Sequence, residues 1–329
     1  MNQRDQILEL LHGNKISSTS VFSGLIHITA EGLAHEGLSF QEIHHDAQKM
    51  ASAAASTFRL TGMASAALPL DLCAPAEALG AELKFYDDGA QFPQVKGALL
   101  ESVHEITRLE SGDLEIGRLP LILEAIGLVK KDIGNEAAIS GMIPGPYTLL
   151  LYICNPRNLF MEMKKEPQAV LDALLYLTTF LSQIASAYSN AGADFTTIHE
   201  MGGSPGFIGP AKFEQFVFPF LKQLVSELPK PTVLSVCGNT NKSMDLLAQA
   251  GADAISVDQT NDLAASRARM GGTRLFGNID PVATLWLGDE TSIAEAVRRA
   301  KDAGVDAVWP GCDLVPQTPI ENIKAFITS

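Results

Sequence analysis

Short runs of β-branched and apolar residues, each breaking off into polar ones, recur along the chain. They alternate with longer stretches whose apolar positions fall three and four residues apart. The first pattern reads as buried strands of a parallel sheet, the second as helices packed on it. Eight strand candidates follow in order, at residues 18–24, 64–71, 137–143, 195–198, 232–237, 254–257, 274–277 and 307–309. Helical spacing covers 40–61 and 120–131, and residues 6–11 end a short N-terminal helix. The stretch 232–240 concentrates the pattern, because Thr-Val-Leu-Ser-Val-Cys breaks into Gly-Asn-Thr, a buried strand delivering polar groups at its carboxyl end.

A junction repeats three times: Ala191-Gly-Ala-Asp194, Ala250-Gly-Ala-Asp253 and Ala303-Gly-Val-Asp306. Each closes a helix-like stretch and opens a strand, with glycine suited to the left-handed position after a helix. Alternating strands and helices in this number predict a closed (β/α)8 TIM barrel with an N-terminal helical extension. An open doubly wound sheet would carry a glycine-rich phosphate turn after its first strand, and Ser23-Gly-Leu-Ile is not one. Residues 80–136 are less regular, with a small edge strand expected at 83–86, a turn at 86–89 and the helix at 120–131. They read as an insertion between the second and third strands. No Gly/Ser- or Pro-rich linker bounds them, so residues 1–329 are expected to form one domain.

Composition narrows the function. At 46% hydrophobic and 19% charged the chain has the balance of a globular enzyme. A net charge of −14 without a basic cluster excludes nucleic acid as a partner. The polar start Met1-Asn-Gln-Arg-Asp-Gln and the lack of an uninterrupted apolar run of spanning length predict neither export nor membrane insertion. The four cysteines lie far apart and are expected to be reduced thiols, with the cytoplasm as the compartment.

In such a barrel chemistry sits at the carboxyl ends of the strands. Those ends carry Asp71, Met142 with Pro144-Gly-Pro146-Tyr147, His199-Glu200, Cys237-Gly-Asn239, Asp258, Asn278-Ile-Asp280 and Cys312-Asp313. Acids, amides and two thiols meet there, and no cationic side chain is expected among them. Structural roles compete with functional ones. Cys237 and Cys312 can serve as small buried hydrophobes, His199 as a hydrogen-bonded core residue, and Asp258 as a helix cap. Asp280 before Pro281 is a good N-cap. Glu200 is harder to explain structurally, since a carboxylate beside Met-Gly-Gly needs a partner.

Several segments together resemble the uroporphyrinogen decarboxylase superfamily, in its branch of corrinoid-dependent methyltransferases. They are Pro310-Gly-Cys-Asp-Leu-Val-Pro-Gln-Thr-Pro-Ile-Glu-Asn-Ile-Lys324, the stretch from Ser204 to Phe216, Ile143-Pro-Gly-Pro-Tyr-Thr148, residues 72–80, and the N-terminal Arg4-Asp-Gln-Ile-Leu-Glu-Leu-Leu. The resemblance spans essentially the whole chain and implies a barrel working with a separate corrinoid protein. Two departures matter. The decarboxylases hold a polycarboxylate tetrapyrrole with an arginine-rich segment after the first strand, whereas this chain has no arginine between Arg4 and Arg59. Porphyrinogen decarboxylation is therefore rejected. The thiol methyltransferases carry a His-x-Cys pair on the fifth strand and a second cysteine after the eighth, which together bind zinc. Cys237 and Cys312 match the cysteines, but Ser235 stands at the histidine position.

With the zinc set weakened, the expected acceptor is tetrahydrofolate, methylated from a methylated corrinoid such as methylcobalamin without zinc. On this reading Glu200, Asp258 and Asn278 act on the pterin or its N5 proton, while Asn239, Asp280, Tyr147, Met142 and His199 line the substrate site. The alternative is zinc-dependent methylation of a thiol such as coenzyme M, with Cys237 and Cys312 joined by Glu200 or His199 as ligand. Further alternatives are a non-catalytic barrel that binds a corrinoid or pterin, and a decarboxylase of a non-porphyrin acid.

Overall fold

The computed structural model describes residues 1–16, 18–86, 89–109 and 114–329. Eight strands form one parallel sheet: β1 (Ser20–Val21), β2 (Ser65–Leu68), β3 (Ala138–Pro144), β4 (Phe195–Glu200), β5 (Thr232–Val236), β6 (Ala254–Val257), β7 (Arg274–Phe276) and β8 (Ala307–Val308). Six fall within the segments expected from the pattern, while β3 runs one residue and β4 two residues past theirs. Their order in the sheet is β1-β8-β7-β6-β5-β4-β3-β2, which curls until its two ends meet. No backbone ladder joins β1 to β2 among the described residues. Side chains cross that seam instead: Ser23 N–H donates to Ser65 Oγ at 3.1 Å, and His27 Nε2 lies 3.1 Å from the Ser65 carbonyl oxygen.

The interior is filled rather than open, as barrels of this size require. Phe22 meets Phe195, Phe276 and Trp309 edge-on, with centroids 6.5, 5.8 and 5.2 Å apart, so β1 touches β4, β7 and β8 across the centre. Gly24 is the point of closest approach. A Cβ there would lie 2.5 Å from Thr197 Oγ1 and 2.6 Å from the Trp309 ring, and only glycine fits.

The repeated Ala-Gly-x-Asp junctions sit at the opposite end. Each aspartate accepts a backbone N–H at the start of a neighbouring strand: Asp194 from Ile139 (3.0 Å), Asp253 from Thr232 (2.7 Å) and Asp306 from Leu275 (2.9 Å). The preceding glycines take positive φ, at 125°, 84° and 87°. The repeat is thus a device for satisfying strand ends and aligning register, far from the mouth.

The helical pattern needs three corrections. Helix Ala47–Thr61 begins only after Asp46, which caps it through Lys49 N–H, and residues 42–44 form a separate tight turn. Polar Glu42, His45 and Asp46 break the apolar stripe that suggested a start at 40. Within the insertion, Leu83–Lys84 pairs antiparallel with Gln94–Val95, and the helix runs Leu119–Ile133. The turn expected at 86–89 includes Asp87 and Asp88, which lie outside the described residues. Against the sequence expectation, helix Pro167–Ala191 is long and apolar enough to cross a membrane by length and composition. Its Val170, Leu174, Leu177, Leu181 and Ile184 are buried, and it packs on β3 and on helices Pro146–Ile153 and Phe218–Glu227, as a core helix does.

Candidate metal and substrate site

Side chains alternate along β4, so His199 and Glu200 point to opposite faces. His199 pairs with Ser235 of β5 in register, and both are buried. Two residues past Ser235, at the end of β5, Cys237 swings over the His199 ring, with Sγ 3.0 Å from Nε2. Cys312 arrives from the loop after β8, its Sγ 3.3 Å from Cys237 Sγ and 3.9 Å from His199 Nε2. One nitrogen and two sulfurs therefore lie within 4.8 Å of one another, on three different strand ends.

The electrostatics of this trio are tightly linked. The hydrogen bond from Cys237 draws the Cys312 thiol well below its usual range although burial opposes it, and His199 adds to the pull. Cys237 is pushed up correspondingly, first by its bond to Cys312 and then by burial. Burial disfavours a charge on His199, but the Asp313 carboxylate and Cys312 outweigh it and hold the imidazole up to about 9. Asp313 itself is pushed up to about 6 by burial, against the attraction of His199. Its Oδ1 accepts the Ile26 N–H at 2.8 Å, and its Oδ2 lies 3.9 Å from His199 Nδ1. That nitrogen is buried with no hydrogen-bond partner among the described residues.

Three acceptors within one ion's reach, two of them thiols, match the donor set of zinc. Zinc held by His199, Cys237 and Cys312 would have room for one further ligand, such as a substrate. Asp313 stands where an outer carboxylate orients a ligating imidazole through its other nitrogen. His199, one strand over from Ser235, offers the imidazole that is absent at that position. His199, expected chiefly as a core or lining residue, is the third member of the cluster. Glu200, the other substitute ligand considered, is not part of it.

Glu200 is fully buried on the helix side of β4. Its carboxylate accepts from Thr148 N–H at 3.3 Å, from the Thr148 hydroxyl and from Gly203 N–H at 2.8 Å. Burial raises its pKa, while these bonds oppose the rise. Gly145 leaves the room it needs, since a Cβ there would come within 2.1 Å of Glu200 Oε2. The carboxylate thus ties helix Pro146–Ile153 to the Met201–Gly203 turn.

Asp258 accepts from Gly238 N–H, from Thr260 N–H at 2.9 Å and from Asn261 Nδ2 at 3.0 Å, fixing the turn that carries Cys237. It does not cap the next helix; Asp262 does, through Ala265 N–H. Asn278 donates to the carbonyls of Asp258 (3.0 Å) and Asn261 (2.9 Å). Asp280 caps the helical turn Pro281–Trp286 through Val282 and Ala283 N–H. Tyr147 is buried with its hydroxyl on Met163 Sδ at 3.2 Å, and Met142 is buried within β3. Of the residues expected to hold a substrate, Asn239 lines the mouth beside Cys237 and His199 lies against Cys237, while Asn278 and Asp280 line a separate cavity of about 440 Å³.

Two cavities flank the cluster. One, of about 480 Å³, is mostly apolar and lined by Leu151, Tyr152, Met201, Phe207, Cys237 and Asn239. Phe207 is 63% exposed there, an unusual placement for a large apolar ring. The other, of about 300 Å³, is lined by Asp71, Gln91, Gln94 and Asp313, and shares Tyr152 and Met201 with the first.

A cation does stand near the mouth, contrary to expectation. Arg118, at the start of the insertion helix, donates to Asp71 at 2.7 and 3.1 Å and to Glu77 at 2.8 Å. His44 Nδ1 lies 3.2 Å from the same Asp71 carboxylate. Burial pushes Asp71 up, but Arg118 and His44 outweigh it and hold the carboxyl well below its usual range. Nothing in the sequence near Asp71 announces a partner 47 positions downstream.

A filled parallel barrel with a His-Cys-Cys cluster at its carboxyl end defines the class of site. The uroporphyrinogen decarboxylase (URO-D) family pattern matches residues 2–329, and the chain belongs to that family. Within it, the likeness is to the methyltransferase branch. The methylcobamide:CoM methyltransferase MtbA of Methanosarcina acetivorans is 33% identical over 305 residues, 91% of this chain and 88% of that one. MtaA of Methanosarcina barkeri, another methylcobamide:CoM methyltransferase, is 29% identical over 99% of this chain and 96% of its own. A uroporphyrinogen decarboxylase of Trichodesmium erythraeum is 27% identical over 78% of this chain and 74% of its own. The solved structure of a methyltransferase from Methanosarcina mazei superposes with a TM-score of 0.94 at 27% identity, covering 100% of this chain and 98% of that one.

Proposed function

We propose that this protein is a corrinoid-dependent methyltransferase that moves a methyl group from a methylated corrinoid to a thiol, using zinc at His199, Cys237 and Cys312. The observation that carries the reading is the convergence of those three ligand atoms within 4.8 Å beside two open cavities. The relatives support it, being named for transfer from a methylcobamide to coenzyme M. The tetrahydrofolate reading loses its supports. Glu200, Asp258 and Asn278, the groups meant to pair with a pterin edge, are all engaged with the protein's own backbone. A thiol needs none of them.

When bound, zinc acts as a Lewis acid that favours the thiolate form of a coordinated thiol. The chain's own residues do the rest. Cys237 and Cys312 provide sulfur donors on rigid strand ends, and the Asp313 carboxylate, 3.9 Å from His199 Nδ1, faces the ring on the side away from the cluster. The apolar groove along Leu151, Tyr152, Met201 and Phe207 suits the face of a corrin and excludes water from it. The corrinoid arrives as methylcobalamin or on a separate protein. The thiol loses its proton to water, its sulfur takes the methyl group, and the Co–C bond breaks with both electrons kept by cobalt, reduced from Co(III) to Co(I). Positioning of the two reactants accounts for most of the catalysis expected here.

The test is loss of methylcobalamin, followed spectroscopically with zinc-loaded protein and with thiols and tetrahydrofolate offered separately. Loss only with thiols is expected. Loss only with tetrahydrofolate contradicts the reading.

A further inference from the structure

We infer that the acceptor thiol is uncharged or carries an ammonium group, rather than a sulfonate or carboxylate. The inference rests on the thiol reading above and concerns the far end of the same substrate. Among the described residues no Lys or Arg lines either cavity beside the cluster. The apolar groove has no charged wall at all. The smaller cavity has two carboxylates, Asp71 and Asp313, and the amides of Gln91 and Gln94.

Arg118 does not alter this balance. It is buried, and three of its five N–H groups are taken by Asp71 and Glu77, so its charge is already matched by two carboxylates. His27 is buried too, with its ring nitrogens on the carbonyl oxygens of Leu25 and Ser65, and burial lowers its pKa. An anionic tail would be buried in a cavity that holds the Asp71 and Asp313 carboxyl groups and, among the described residues, no Lys or Arg. A hydroxyl tail meets the Gln91 and Gln94 amides, and an ammonium meets Asp313.

The experiment offers zinc-loaded protein four thiols with the same reactive end: 2-mercaptoethanol, cysteamine, 2-mercaptoethanesulfonate and 3-mercaptopropionate. Demethylation of methylcobalamin gives kcat/KM for each, corrected for that thiol's own ionisation. Calorimetric binding of each thiol without corrinoid gives an order independent of turnover. The neutral and ammonium thiols are expected to exceed the two anionic ones by about tenfold or more in both measurements. Gln91 is exposed on the cavity rim, so Gln91→Arg folds normally and is expected to raise kcat/KM for the sulfonate selectively. Equal use of all four, or a preference for the sulfonate, overturns the inference and leaves the methyltransferase reading intact. Turnover with tetrahydrofolate and with no thiol overturns both.

Discussion

Two buried charged clusters sit at the mouth of this barrel, and they differ in how completely their groups are satisfied. Around Asp71 two carboxylates share one guanidinium, and only the neighbouring His44 ring lacks a hydrogen-bond partner among the described residues. Around His199 donors and acceptors do not match. Two sulfurs and an imidazole nitrogen, all potential ligands, crowd together, and the other ring nitrogen has no partner among the same residues. A satisfied buried cluster holds a fold in register, whereas an acceptor-rich one is complete only with a cation. The first kind fastens the insertion to β2, and the second is the site proposed for the chemistry.

The largest expected effect breaks the second cluster. Cys237→Ser or Cys312→Ser should cut methylcobalamin demethylation by more than the ~100-fold seen when only an outer partner is lost, with the far-ultraviolet spectrum unchanged.

Breaking the first cluster should instead unfold the protein. Arg118→Met leaves a buried carboxylate unpaired and should cost about 3–5 kcal/mol, read by denaturant titration. The pH dependence has a definite sign. Asp71 is depressed in the fold, so its contribution is present above the unfolded aspartate value of about 3.9 and is lost as pH falls towards the folded value. An acid titration of Arg118→Met should lack that part of the wild-type loss.

A subtler change separates a ligand from its support. Asp313→Asn should weaken zinc binding by about 10- to 100-fold, measured by competition with a chelator, while leaving one zinc per chain at saturation. The smallest effect on metal belongs to Glu200. Glu200→Ala strands the Thr148 and Gly203 donors and should cost about 1–3 kcal/mol of stability. Zinc content should not change, and a loss of zinc would return Glu200 to the site.

The strands were legible because burial on both faces writes itself as apolar, β-branched runs, and the Ala-Gly-x-Asp junctions mark where three of them begin. The cysteines were legible as polar endings of such runs. His199 was named only as one of two substitutes, with Glu200, because register is invisible from within one strand. Only the pairing of His199 with Ser235 shows that neighbouring strands can supply the same ligand from either side. Period-two alternation could have shown that Glu200 cannot share a face with His199. Arg118 was hidden by distance in sequence. Asp258, Asn278 and Asp280 look like site residues in sequence because polar groups that secure barrel loops occur at the same strand ends as those that act on substrates.

Zinc content of the purified wild type, His199→Ala and Ser235→Ala proteins tests the account most directly. It predicts one zinc per chain in the wild type and in Ser235→Ala, and almost none in His199→Ala. A wild type that binds no zinc, or a His199→Ala protein that keeps it, would contradict the assignment of the third ligand to β4.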